Sequence, residues 1–429
     1  KEEFEKALNE LKHNKATGID NISGEMLKAI EGQGKEILYK IIYNAYEKGL
    51  IPKDFEKCLM IPLPKKKKSE KCEDHRTISL ITHASKILTK IIHKRIEAKI
   101  SVNLEEDQFG FRRNRGTREA ILCLRMIMEK MYRVNKPMYI AFIDLEKAFG
   151  NVNWDMLFNI MKTINIDIKD RRIIHKLYLN EKAVITDKRS KAWEEANIEK
   201  GVRQGCNLSP TLFNLYIENT KAIKGSKNGG IKINGMLVQM LRFTDDIALI
   251  VESEEALGNI LTKMNDSCKE YKIKINKSKT KILMCSKQKL LLNITIENEK
   301  LETVQCFICL GSKITHDGRS EMDIKSRIAQ AKQAFYQKKH LLTANTVSLN
   351  TRKNLIKSFV WSIALYGAET WTILKAERKK IEAFEAWCWR RALKISWTEK
   401  VKNEEVYLRM NKKQYGRQLK KGGKNGLDI

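Results

Sequence analysis

Two adjacent aspartates, Asp245 and Asp246, interrupt an otherwise apolar β-like segment. RFTDDIALI spans residues 242–250, with Leu237, Leu241 and Phe243 before the pair and Ile247, Leu249 and Val251 after it. Neighbouring side chains of a strand point to opposite faces, so inside a strand one of the two carboxylates would be driven toward the core. Burying an unpaired carboxylate is costly, so the pair has to occupy a turn, meet a partner or hold a cation. The simplest placement is the tight turn of a hairpin running from Leu237 to Val251, and aspartate suits turns in its own right.

A third carboxylate turns this local constraint into a chemical one. The run MYIAFID ends at Asp144, and its unbroken apolar character is that of a strand buried on both faces. If that strand lies beside the hairpin in one sheet, three carboxylates converge, and like charges so placed do not all ionise cheaply. Divalent cations resolve the conflict, and hard oxygen ligands favour Mg²⁺, or Mn²⁺, over zinc. Two such ions about 4 Å apart activate an attacking hydroxyl and stabilise a leaving phosphate oxygen.

The charge balance points to the same chemistry. The 429 residues carry 82 Lys and Arg against 52 Asp and Glu, a formal +30 spread along the chain, so the expected partner is a polyanion, nucleic acid. No run of about 18 apolar residues is present, which sets a membrane partner aside. Nine irregularly spaced cysteines do not form a disulfide framework and indicate a reducing, intracellular location, nucleus or cytoplasm, without secretion. Cys306 and Cys309 lack the second ligand pair of a structural zinc site. The chain starts KEEFEKALNELK, with neither an initiator Met nor an apolar leader, and is expected to be a fragment.

Periodicity predicts an α+β architecture. Phe4, Leu8 and Leu11, then Ile37, Leu38, Ile41 and Ile42, then Ile87, Ile91 and Ile92 recur at helical spacing. Strands are expected at CLMIPL, MYIAFID, KAVIT and KILMCS, between helices near WDMLFNIMKTI, SPTLFNLYIENTKAI and EALGNILTKMNDSCKEY. From about Lys325 the chain turns helical and basic, which predicts a separate C-terminal helical domain.

FIDLEKAF (142–149), GVRQGCNLSPTLFNLYI (201–217) and RFTDDIALI resemble, in order and spacing, the catalytic motifs of non-LTR (LINE-type) retrotransposon reverse transcriptases. The resemblance extends to NKATGIDNISGEML (14–27), HRTISLI (75–81), DQFGFRRNRGTREAI (107–121), CLGSKITHDGRSEMDIKSRI (309–328) and LYGAETWTI (365–373). It implies a right-hand polymerase fold: N-terminal extension and fingers over 1–135, a palm with an antiparallel sheet over 136–300, and the primer grip, helical thumb and basic tail over 301–429. The implied activity is RNA-directed DNA polymerase, a nucleotidyltransferase that copies template RNA from a DNA primer with dNTPs and Mg²⁺ or Mn²⁺.

Carried onto this chain, the resemblance makes Asp144, Asp245 and Asp246 the catalytic metal ligands and Phe149 the side chain beneath the incoming sugar. Arg76 and Lys65, or another lysine of the run to Lys68, would hold the triphosphate, where a guanidinium forks onto phosphate and an ammonium acts as a point charge. Gln204 and Gly205 would line the nascent base pair. Arg112, Arg113, Arg115 and Arg203 would contact nucleic acid, as would Leu310 and Gly311 at the primer-gripping turn. A lysine among Lys277, Lys279 and Lys281 matches an acid toward pyrophosphate. Trp387 and Trp389 lie in a helix and are read as packing residues. Gly150, Asn207, Thr77 and Lys272 depart from the family pattern without removing a metal ligand. Two rivals follow: a degenerate reverse transcriptase that only binds nucleic acid, and another two-metal enzyme such as a nuclease, for which Phe149, Gln204 and Gly205 would have no purpose. The sequence leaves the oligomeric state open.

Overall fold

The computed structural model describes residues 1–410 apart from 66–68, 72–73, 187–192, 221–228, 234 and 288–291. Its centre is a five-stranded sheet in the order Met240–Phe243, Asp246–Val251, Met138–Ile143, Lys281–Cys285, Glu302–Thr303. All pairs are antiparallel except the last. All six residues of Met138–Ile143 are buried, because helices cover both faces. Alternate side chains feed two cores, Tyr139, Ala141 and Ile143 into one, Met138, Ile140 and Phe142 into the other. The apolar run therefore needs no polar face.

The helices that cover the sheet begin where the sequence supplies caps. The Asn153 side chain accepts the Met156 amide ahead of Trp154–Thr163, and Ser253 accepts the Ala256 amide ahead of Glu254–Glu270. In the latter, Glu254 and Glu255 place negative charge at the positive end of the helix dipole.

A second sheet has the order His75–Leu80, Lys57–Pro64, Lys182–Thr186, Trp193–Asn197. Here the expected strand KAVIT joins Lys57–Pro64 in parallel and stays outside the central sheet. Periodicity recognises a strand but not its partner, which long-range packing chooses. The predicted hairpin is also shorter than expected: Met236–Val238 pairs with Ile231–Ile233 instead, and the hairpin proper is Met240–Phe243 with Asp246–Val251.

Beyond the central sheet the chain is helical, as predicted, with Glu321–Gln337, Leu349–Ile356, Lys375–Ala392 and Asn403–Arg409 around a core of Phe335, Trp361, Phe384 and Trp389. Trp389 is fully buried, and Trp387 stacks on Phe384. A buried ion pair, Arg125 with Asp323 at 2.9 Å, joins this bundle to the helix Thr117–Arg133. Asp323 also accepts the Trp371 indole N–H and the Lys313 amide. The described cysteines are all free thiols, and no described helix is long and apolar enough to cross a membrane.

Candidate active site

Sheet register brings the acidic residues together. Ile143 pairs with Ile247, so one step further along the antiparallel strands Asp144 comes opposite Asp246, on the same face. Phe243 pairs with Asp246, which leaves Thr244 and Asp245 as a two-residue turn. Thr244 has φ 60°, a conformation unusual for a β-branched residue. Its hydroxyl lies 3.0 Å from Asp245 Oδ1. Thus Asp245 occupies the predicted turn, and Asp246 is the first residue of the strand that follows.

Asp246 is open to solvent, but it lines a cavity where crowded protein atoms strip much of its water. Its carboxyl is pushed up to about 6, first by this desolvation, then by the charges of Asp245 and Asp144, with Arg76 acting in the opposite direction. The Lys279 ammonium stands 3.6 Å from Asp144 Oδ2. Lys277 is drawn away by Glu297 and Glu299, and Lys281 by Glu302, so Lys279 is the member of the trio that reaches the acids.

No described group of three His, Cys, Asp or Glu side chains forms a ready metal cage. The donor set nevertheless suits Mg²⁺ or Mn²⁺: the oxygens are hard, their mutual repulsion would be relieved by a cation, and Mg²⁺ commonly takes one or two carboxylates plus substrate phosphates and water. Beside the acids opens a cavity of about 320 Å³, walled by Leu124, Phe142, Phe307, Cys309 and Leu310, with Asp144, Asp246 and Lys279 among its lining residues.

Phe149 follows Asp144 on the short 3₁₀ turn Ala148–Asn151. Its ring stacks on Phe213 at 4.2 Å, and its carbonyl accepts the Val202 amide at 2.8 Å. That bond ties it to the 201–206 loop, where Gln204 and Gly205 are exposed. Gly205 has φ 122°, and a Cβ there would fall 2.6 Å from the Ser79 carbonyl oxygen, so only glycine allows the loop to lie against the strand His75–Leu80. The Ser79 amide in turn donates to the Gln204 carbonyl at 2.8 Å. Arg76 on that strand is exposed, and its charge is felt at Asp246. Lys65 is exposed at the end of Lys57–Pro64; residues 66–68 lie outside the described ones.

Several basic residues depart from expectation. Arg203 is buried: its guanidinium lies 2.9 Å from the equally buried Glu181 and donates to the carbonyls of Phe55 and Leu177. It is corrected from a nucleic-acid contact to an internal anchor, because the loop that exposes Gln204 turns the preceding side chain inward. Arg112 is half-buried, with its side chain 12% exposed and bonded to the Glu105 carbonyl at 2.6 Å, so that it closes its own loop. Arg115 is held by the backbone and carboxylate of Glu106. Arg113 forks onto Glu97 at 2.9 and 2.8 Å but keeps 80% exposure.

Leu310 and Gly311 form the turn between Cys306–Cys309 and Ser312–Thr315, with φ 48° and 83°. Two residues not singled out from sequence hold it: Tyr366 donates to the Leu310 carbonyl at 2.9 Å, and Arg327 donates to the Gly311 carbonyl while stacking on Tyr366. Both lie inside quoted motifs, Tyr366 in LYGAETWTI and Arg327 in CLGSKITHDGRSEMDIKSRI, but neither is marked there individually.

Residues 63–321 match the protein family described as Reverse transcriptase (RNA-dependent DNA polymerase). A probable RNA-directed DNA polymerase from transposon BS of Drosophila melanogaster is 27% identical over 401 residues, covering 90% of this chain and 43% of that protein. The RNA-directed DNA polymerase from mobile element jockey of Drosophila funebris is 24% identical, covering 96% and 46%. The chain therefore spans less than half the length of these relatives. Among solved structures, apo telomerase from Candida tropicalis truncated from its C-terminal domain aligns with a TM-score of 0.46 at 13% identity, covering 66% of this chain and 59% of that one. With the family matched over more than half of its length and relatives among non-LTR retrotransposon polymerases, the chain belongs to the reverse transcriptase family, and its α+β architecture is the right-hand polymerase fold.

Proposed function

We propose that the protein is an RNA-directed DNA polymerase that extends a DNA primer along template RNA with dNTPs and Mg²⁺ or Mn²⁺. The observation that carries this reading is the register that sets Asp144 opposite Asp246, with Asp245 in the adjoining turn. In this assignment residues 1–135 are the N-terminal extension and fingers, 136–300 the palm, and 301–429 the primer grip, thumb and tail. The strands Lys182–Thr186 and Trp193–Asn197 then belong to the fingers sheet although they fall within the palm stretch.

The residues divide the reaction between them. Asp144, Asp245 and Asp246 offer the oxygens for divalent ions, which when bound activate the primer 3′-hydroxyl and stabilise the leaving oxygen. The hydroxyl gives up its proton to solvent as its oxygen attacks the α-phosphate, the new P–O bond forms, and the bond from the α-phosphorus to the bridging oxygen breaks, so that pyrophosphate leaves. Arg76, whose charge is felt at Asp246, draws the triphosphate, with Lys65 at the strand end beside it. Phe149, braced by Phe213, presents an aromatic wall beneath the sugar that a 2′-hydroxyl would strike. Gln204 and Gly205 meet the nascent pair, Arg113 reaches template phosphate, and Leu310 and Gly311 meet the primer strand.

The test is primer extension on an RNA template with dNTPs and Mg²⁺, beside Asp144→Ala. Extension by the natural chain and none by the variant is expected. Tight, salt-sensitive RNA binding without extension would refute the polymerase reading in favour of a decayed copy that only binds.

A further inference from the structure

The turn that carries Asp245 is held in an unfavourable conformation, and the central sheet alone does not account for it. Thr244 has φ 60°, and such a backbone persists only where its surroundings over-determine it. The surroundings are the segment Asp107–Gly110, just before the basic loop. Arg242 and Gln108 form a parallel bridge, in which the Phe109 amide donates to the Arg242 carbonyl and the Arg242 amide to the Asp107 carbonyl, each at 2.8 Å. The Arg242 side chain pairs with Asp107 and, at 2.9 Å, with Glu218.

Gln108 completes the brace. It is fully buried, and its side-chain carbonyl accepts two amides at once, Thr244 at 3.1 Å and Gly110 at 2.9 Å. Gly110 packs against the turn so closely that a Cβ would fall 2.6 Å from the Thr244 amide nitrogen, and its own carbonyl accepts from Asn214 at 2.7 Å. Glutamine is suited to this place. Glutamate would add a buried negative charge beside the acidic turn, asparagine is one methylene too short, and an apolar side chain would orphan the Thr244 amide.

We propose that Gln108 is a positioning residue of the acidic site, fixing the Thr244 backbone so that Asp245 and Asp246 face Asp144 for cation binding. The proposal rests on the reading of these carboxylates as metal ligands. It also makes the segment leading into the basic loop part of the device that aims the acids. Losing a group that orients metal ligands commonly weakens metal affinity or activity by about 10- to 100-fold.

The experiment measures Mn²⁺ binding to the full chain, by the electron paramagnetic resonance of free Mn²⁺, for the natural protein, Gln108→Met and Asp144→Ala. RNA affinity and the Mg²⁺ dependence of primer extension are followed in parallel. Gln108→Met keeps the volume and removes the acceptor. Expected are Mn²⁺ affinity about 10- to 100-fold weaker, a matching rise in the Mg²⁺ needed for half-maximal extension, and RNA affinity unchanged. Equal Mn²⁺ affinity in Gln108→Met and the natural chain overturns the proposal, as does absence of Mn²⁺ binding by the natural chain. If the natural chain binds Mn²⁺ through Asp144 but extends no primer, the polymerase reading fails while Gln108 is still judged on Mn²⁺ affinity. Should Gln108→Met lose RNA binding through misfolding, Gln108→Asn, which withdraws the acceptor by one methylene, is judged by the same two outcomes.

Discussion

Replacing Arg203 with methionine tests whether this residue is an internal anchor or a ligand contact. Its guanidinium and the Glu181 carboxylate are each 2% exposed and 2.9 Å apart, and the same guanidinium serves the carbonyls of Phe55 and Leu177. Removing one partner of a buried pair leaves an uncompensated charge and costs about 3–5 kcal/mol. Against a total stability of about 5–15 kcal/mol that is a large fraction. In urea, with m of about 3 kcal/mol/M, the midpoint should fall by about 1–1.7 M. Replacing both partners, Arg203→Met with Glu181→Met, should recover most of the loss, because an apolar pair needs no compensation.

A pH series adds a signed check. Burial pushes the Glu181 carboxyl up, and the Arg203 guanidinium offsets that push. Without Arg203 the carboxyl rises further, so the folded variant holds a proton that the unfolded chain has released. Its stability then falls as pH rises through the window between unfolded and folded values, and its deficit narrows on acidification. Unfolding followed by tryptophan fluorescence decides the matter. A loss below about 1 kcal/mol, the scale of an exposed pair, or a double variant as unstable as the summed singles, would refute the buried-anchor account.

Three further outcomes are expected. Asp246 titrates near 6 when folded against an ordinary 3.8, so in EDTA the fold should lose stability as pH rises across that interval, and Asp246→Asn should abolish the loss in chemical denaturation at either side of it. Phe149→Val should admit ribonucleotides, seen as a fall in the dNTP-over-rNTP ratio of kcat/KM, with an unchanged ratio placing the sugar gate elsewhere. Gly150 has open space where a Cβ would go, so Gly150→Asp should fold with an unchanged melting temperature, and a marked drop would contradict that geometry.

Much of the candidate site was legible in the chain because its residues violate local rules. Asp144, Asp245 and Asp246 stand against apolar strands, where only a turn, a partner or a cation explains a carboxylate, and Phe149 and Gly205 sit in motifs whose order is distinctive. Helix type followed from a period of 3.6 and strand type from short apolar runs, which are properties of neighbouring residues.

Only the tertiary structure decided which strands meet and which way loop side chains turn. Register sets Asp144 against Asp246, and a slip of one residue would have sent them to opposite faces. Lys182–Thr186 found its partner in Lys57–Pro64, far away in sequence. Arg203 reads as an exposed cation, yet carbonyls and a carboxylate from other segments draw it inward, and Arg112 folds back onto its own loop. Gln108, Arg327 and Tyr366 carry no local anomaly; their roles exist only where the acidic turn and the Leu310 turn come within hydrogen-bond reach. Pattern in the sequence encodes what a residue prefers to be near, whereas hydrogen bonds depend on a few ångströms and an angle that only the folded chain supplies.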